Sequence, residues 1–111
     1  MTEQRVQRRL AAILAADVVG YSALMQRAEE ATYAEFERLK LEVVEPSLSR
    51  HDGRLIKTTG DGALAEFASP SAAVRCAAEI QESIASGRSS LKLRLADHRP
   101  PRAGSSTWIA G

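Results

Sequence analysis

Cysteine is almost missing from this 111-residue sequence: Cys76 stands alone, which excludes an internal disulfide and a zinc site built on several thiolates. Aromatic residues are scarce too, at 5%, too few for a platform that stacks nucleic-acid bases. Nor is one sign of charge in excess. Lys plus Arg total 15 and Asp plus Glu 14, a formal net charge of +1. Bulk electrostatics therefore gives no reason to expect nucleic acid or a membrane surface as partner. The longest apolar run, Leu10 to Ala16, is seven residues, against the ~20 that a membrane-spanning helix needs. Arg5, Arg8 and Arg9 ahead of that run imitate a signal peptide. The run is too short, however, Asp17 ends it, and no small-residue cleavage site follows. The expectation is a cytoplasmic protein in which residues 1–9 form a basic arm or linker.

What is present is the composition of one small globular domain, 44% apolar and 26% charged. Leu10–Ala16 reads as a strand buried on both faces, although its alanines leave a helix open. From Tyr21 the spacing turns helical. Tyr21, Leu24, Met25 and Ala28, then Phe36, Leu39 and Val43, fall at three- and four-residue intervals. Glu29–Thr32 is expected to separate a short helix from a longer one, and Pro46 with His51-Asp52-Gly53 to close the region. Arg54–Thr58 and Gly62–Phe67 read as strands joined through Thr59-Gly60-Asp61-Gly62, a β-hairpin. Ser69-Pro70 opens a second helix, with an apolar stripe of Ala73, Ala77, Ile80 and Ile84, Val74 and Cys76 beside it, and Gly87 as its stop. Leu91-Lys-Leu-Arg-Leu95 alternates strictly and predicts a strand with one buried face.

The order β-α-β-β-α-β predicts an α+β fold, a ferredoxin-like split βαβ sheet with helices on one face, over residues 10–95. From Ala96 the periodicity stops, Pro100 and Pro101 stand side by side, and residues 96–111 are expected to form an irregular tail. His51 in its turn and His98 in that tail are expected to be solvent-exposed. Cys76 is expected to be a buried small hydrophobe, with Met25 and Phe36 in the core.

Two aspartates stand out by position. Asp17 ends the first strand where a helix begins, and Asp61 sits in the glycine hairpin. In a split βαβ sheet the first strand and the hairpin are neighbours, so both carboxylates converge at one sheet end. Such a pair suits a hard cation such as Mg²⁺, which takes oxygen ligands and needs few protein carboxylates. The N–H groups of Val19, Gly20 and Tyr21, where the helix opens, point to phosphate oxygens as their acceptors. Together these residues suggest a metal and a nucleotide phosphate. A plainer reading stays open beside it, with Asp17 as a helix N-cap and Asp61 as a turn residue, the commoner uses of aspartate there. A phospho-acceptor role for Asp17 leaves the hairpin unexplained and lacks an acidic pair near its start.

Leu14-Ala-Ala-Asp17-Val-Val-Gly20-Tyr-Ser22, taken with Lys57-Thr-Thr-Gly-Asp61-Gly62, resembles a class III adenylate/guanylate cyclase catalytic domain. Gly53-Arg54-Leu55-Ile56 and Ala73-Val74-Arg75-Cys76-Ala77 fit the same bacterial subgroup, and the resemblance covers about residues 8 to 95. It implies that Asp17 and Asp61 are catalytic and hold two metal ions per site, Mg²⁺ or Mn²⁺, with the Val18 carbonyl as an added ligand. One ion would activate the ribose 3′-hydroxyl for in-line attack on the α-phosphate, and the other would stabilise the leaving pyrophosphate. Lys57 matches the family's lysine that selects adenine at the purine edge. ATP is thus the implied substrate and 3′,5′-cyclic AMP the product.

Complete class III domains continue past the fourth strand. There they carry an aspartate or threonine that completes purine selection, then a Val-Asn-x-Ala-Ala-Arg-type stretch. Its asparagine orients the ribose and its arginine stabilises the transition state. After Leu95 this sequence has His98-Arg-Pro-Pro-Arg-Ala-Gly-Ser-Ser instead. The domain is therefore expected to be incomplete, as a fragment or through a reading-frame shift near Ala96. Class III sites form at a head-to-tail dimer interface, so the implied partner is a second copy or an intact cyclase. A homodimer of this chain would have metal half-sites without the clamp, and activity near background. The alternative role is an inactive nucleotide- and metal-binding protomer paired with an intact cyclase. Sequencing the coding DNA beyond the Leu95 codon distinguishes these readings: a one-base correction that restores an Asn-x-Ala-Ala-Arg-type helix means a full cyclase. A sound frame that stops at Gly111 removes the enzyme reading and leaves the partner module as the one to test.

Overall fold

The computed structural model describes residues 12–98. β1 (Ala12–Val18) is a central strand of a four-stranded sheet, as its apolar run requires, and β-branching at Ile13 and Val18 suits it to extended backbone. The sheet order is β2 (Gly53–Thr58), β3 (Gly62–Phe67), β1, β4 (Leu93–His98), and every neighbouring pair is antiparallel. With helical segments between β1 and β2 and between β3 and β4, this is the ferredoxin-like split βαβ arrangement expected from the element order. Alternation divides the sheet into two faces. Ala12, Leu14 and Val18 of β1, Ala65 and Phe67 of β3, and Leu93 of β4 join one buried core with Phe36, Leu39, Val43, Leu48, Ala73, Cys76, Ile80 and Ile84 of the helices. Ala15, Asp17, Leu64 and Arg94 occupy the intervening positions and so lie on the opposite, open face.

The first crossover is three helices rather than two. α1 (Tyr21–Arg27) and α2 (Glu29–Leu39) are separated by Ala28 alone, whose φ of −155° and ψ of 73° break the helical path. Glu29–Thr32, expected to be the separator, is already the first turn of α2. Buried Thr32 ties the joint by donating its hydroxyl to the Leu24 carbonyl at 3.3 Å. Pro46, expected to help close the region, does not end it. Lys40–Val44 forms a π-helical turn in which the Glu45 N–H reaches the Lys40 carbonyl, and α3 (Glu45–Arg50) continues with Pro46 in its first turn. The widened turn absorbs the donor that proline lacks, so the helix runs on until His51 and Asp52, the latter at φ 58°. β4 likewise departs from its expected span. It begins at Leu93 and continues through Ala96–His98, which pair with Ala15, Leu14 and Ile13. The expected tail therefore starts later than Ala96, and residues 99–111, like the basic arm 1–9, fall outside the described residues.

α4 (Pro70–Ser83) begins as expected. Ser69 is extended, its hydroxyl accepts the Ala72 N–H at 3.1 Å, and Pro70 follows. A further π-helical turn, Ile84–Arg88, ends at Gly87. The buried stripe is Ala73, Cys76, Ile80 and Ile84; Ala77 is only half-buried and Val74 is exposed. Cys76 is the expected small hydrophobe, and burial pushes its thiol up to about 11.

Glu79, on the flank of this stripe, staples α4 to α3. Its carboxylate accepts from Arg50, from Ser47 Oγ at 2.8 Å and from His51 Nε2 at 2.8 Å. His51, expected to be exposed, is only 19% accessible and partnered; Glu79 stands 28 residues away, beyond any local spacing rule. Hydrogen bonds from Arg50 first, then His51 and Ser47, hold the Glu79 carboxyl down at about 2 against its ordinary 4.5. A depressed carboxylate stabilises the fold fully above its unfolded value and loses that contribution as pH falls through the folded one. Thermal stability is therefore expected to decline between about pH 4.5 and 2, and Glu79→Gln to flatten that decline. Superimposable acid limbs for the two proteins would remove the staple. Ile80→Ala, in the core beneath it, is expected to cost about 2–5 kcal/mol in chemical denaturation.

Candidate functional site

The end of β1 and the β2–β3 hairpin meet through the backbone. Asp17 stands opposite Gly62 in the β1–β3 register, and the Val18 N–H donates to the Asp61 carbonyl at 2.9 Å. The backbones of Asp17 and Asp61 are thereby neighbours at one end of the sheet. Gly62 makes this possible. A Cβ there would overlap the Ala16 carbonyl oxygen and stand 3.2 Å from the Asp17 Cα, so only glycine allows β1 so close. The loop itself is closed by the Thr59 N–H donating to the Gly62 carbonyl at 2.8 Å.

Asp17 is a strand residue and not a helix N-cap. Gly20 holds the cap position of α1, in left-handed backbone at φ 70°, with no side-chain acceptor. The Asp17 side chain is about half exposed and accepts from Arg94 Nε at 3.3 Å, across the β1–β4 pair in which Asp17 and Arg94 are direct partners. The Val18 side chain is buried, which anchors the backbone whose carbonyl is the third candidate oxygen.

The phosphate cradle expected at Val19, Gly20 and Tyr21 is smaller than its sequence suggested. The Val19 N–H is spent on the Lys92 carbonyl at 2.9 Å. Gly20 and Tyr21 remain as candidate donors, since no backbone bond among the described residues takes their N–H groups. Tyr21 is positioned by its ring, which meets Phe36 edge-on with centroids 6.5 Å apart.

Lys57 reaches the same face by an irregularity. Leu55 lies opposite Ala65 but Lys57 lies opposite Leu64, so Ile56 is an extra residue, a β-bulge. Strict alternation would put Lys57 on the packed face with Leu55. The bulge moves it to the open face, in line with Leu64 and Ala15 and one pleat from Asp17. Strand spacing sets its backbone roughly 12 Å from that of Asp17.

The candidate donors are two carboxylates and a carbonyl, all hard oxygens. That fits a cation which keeps water and takes substrate phosphates as further ligands, as Mg²⁺ does, and does not fit zinc.

A search of protein-family models finds none that matches the chain. Individual proteins do match. The chain is 48% identical over 91 residues to a Rhizobium meliloti (strain 1021) protein named "Putative adenylate cyclase 3", covering 82% of this chain and 16% of that protein. It is 39% identical to the adenylate/guanylate cyclase/hydrolase of Silicibacter pomeroyi, whose crystal structure superposes with a TM-score of 0.68 over 82% of this chain and 56% of that one. The adenylyl cyclase CyaB of P. aeruginosa, at 19% identity, shares the fold with a TM-score of 0.68 over 82% of this chain and 56% of its own. The chain belongs to the class III nucleotide cyclase domain family. It spans about half the length of the solved cyclase chains, so the cyclase domain present is partial. No helix among the described residues is long and apolar enough to cross a membrane.

Two residues of the cyclase domain's sheet were not marked by sequence reasoning. Arg94 lay inside the alternating Leu91–Leu95 strand, where alternation alone assigns it to the face opposite Leu93 and Leu95; its pairing with Asp17 needed the register. Gly62 was seen as a turn glycine, whereas its role is close strand approach. Gly62→Ala is expected to cost about 1–3 kcal/mol through forced strand separation, read by denaturant midpoint. An unchanged midpoint would show that the hairpin tolerates a wider gap.

Proposed function

We propose that this chain is the metal-binding part of an adenylate cyclase catalytic domain, acting on ATP to give 3′,5′-cyclic AMP and pyrophosphate. The observation that supports this reading is the Val18–Asp61 backbone hydrogen bond, which puts the loop carrying Asp61 beside the Asp17 end of β1 in a cyclase fold. Asp17, Asp61 and the Val18 carbonyl would hold two Mg²⁺ or Mn²⁺ ions. Bound there, the ions supply Lewis-acid activation of the 3′-hydroxyl and charge neutralisation at the leaving pyrophosphate. Only through such ions would the aspartates position a phosphate relative to the sheet, since carboxylates alone repel it. Gly20 and Tyr21 offer backbone donors to phosphate oxygens, and Lys57, set on the open face by its bulge, reads the purine edge. Its family role makes adenine the preferred base.

The asparagine and arginine that complete a class III site are not among the 111 residues. We therefore read the polypeptide by itself as weak or inactive, and as competent when a partner lends that clamp across a dimer interface. As an inactive protomer it would still bring metals and nucleotide to an intact cyclase.

Complementation tests this directly. The partner is an intact class III domain whose own two metal aspartates are changed to asparagine, so that it keeps the clamp but has no metal site. Cyclic AMP is expected only when the two proteins are mixed. Asp17→Asn or Asp61→Asn in this chain is expected to lower the mixed rate at least about 100-fold. A mixture that makes no cyclic AMP at any ratio sinks the proposal.

A further inference from the structure

Asp17 has two cross-strand neighbours on the open face, and they are unlike. On the β3 side stands Gly62, with no side chain; on the β4 side stands Arg94. The glycine side leads by one residue of chain to Asp61. The arginine side is filled, with Arg94 Nε 3.3 Å from Asp17 Oδ1. Directly opposed strand residues have Cβ atoms about 4.5–5.5 Å apart, so a guanidinium in that register reaches the carboxylate without strain. We propose that Arg94 is a resident counter-cation of the metal half-site: it holds Asp17 while no divalent ion is bound and must leave that oxygen before one binds. The proposal rests on the reading of Asp17 and Asp61 as metal ligands and adds to it a residue that opposes loading.

Arginine suits the task because its planar guanidinium presents several N–H donors in a fork that matches a carboxylate. Release is a side-chain rotation, and the Arg94 side chain is 64% accessible, with open solvent to swing into. The same exposure limits the strength of the hold. An exposed pair of this kind competes weakly, and added salt weakens it further. Two effects nevertheless act in one direction. The ion must displace a hydrogen bond to Asp17, and the displaced guanidinium remains a like charge tethered to the adjacent strand. Arg94 is thereby a positioning residue for the empty carboxylate and a modest barrier to bare metal.

The test is Mn²⁺ binding to the 111-residue chain, followed by loss of the free-ion electron paramagnetic resonance signal, without nucleotide or turnover. Arg94→Gln is expected to bind Mn²⁺ about three- to tenfold more tightly than the unsubstituted chain. Arg94→Lys, which keeps the charge but loses the planar fork, is expected to fall between them. Raising the salt concentration is expected to narrow the gap. Circular dichroism checks that each variant is folded, which the exposure of Arg94 makes the expected outcome. If Arg94→Gln binds no more tightly while Asp17→Asn and Asp61→Asn weaken binding, Arg94 has no such role and the metal site stands. If neither aspartate substitution changes binding, or no protein binds Mn²⁺ at millimolar concentrations, the metal reading and the counter-cation fall together.

Discussion

The geometry of the candidate site depends on how closely the β2–β3 hairpin can approach the end of β1. Gly62 is buried opposite Asp17, and the space a Cβ would need is already filled by the backbone of Ala16 and Asp17. That approach lets the Val18 N–H reach the Asp61 carbonyl, and that bond sets the loop residue Asp61 beside the end of β1 that carries Asp17. A single backbone hydrogen bond contributes only about 1 kcal/mol net, too little to hold two like charges together by itself. The holding force comes from the packed face behind it. Leu14, Val18, Ala65 and Phe67, on the same two strands, are each buried, and a large apolar side chain contributes about 1.5–3 kcal/mol on burial. The core thus fixes the register, and the register fixes the aspartates.

This division of labour follows from the period of a strand. Odd positions of β1 look one way and even positions the other, so packing and chemistry are assigned to alternate residues of a single seven-residue segment. Substitution at Asp17 removes little buried surface, whereas substitution at Val18, its neighbour, removes a core side chain. Gly62 is the exception that links the two, since it has no side chain on either account and yet sets the distance between strands. The helices act on the site only through this sheet and through α1, whose Tyr21 ring leans on Phe36 and whose first residues follow Gly20.

Much of this was legible because it is local. The apolar run that stops at Asp17, the glycine hairpin around Asp61, the Ser69-Pro70 cap and the alternating fourth strand each declare themselves within a few residues. What escaped is set by long-range pairing or by compensation. Pro46 reads as a helix terminator, but a π-helical turn immediately before it removes the need for its missing donor. His51 reads as a turn histidine, and only the packing of α4 on α3 brings Glu79 to it. Val19 reads as a free donor at a helix start; the carbonyl that takes it belongs to Lys92, on the approach to β4. The face occupied by Lys57 depends on one bulged residue, Ile56, which the alternation of β2 does not reveal.

The exposure of the site carries its own consequence. Asp17 and Arg94 face water, where two unit charges a few ångströms apart interact by only about 1 kcal/mol. In that setting no single exposed charge discriminates strongly between one bound state and another. Electrostatic stabilisation becomes large where water is excluded and the dipoles are already in place. A surface laid over this open face would change more than the contacts it makes. It would lower the dielectric around the Asp17–Arg94 pair and strengthen the charge interaction there. In the described sheet, therefore, positions are fixed by its own core, and the strength of charge interactions on the open face is left to what covers it.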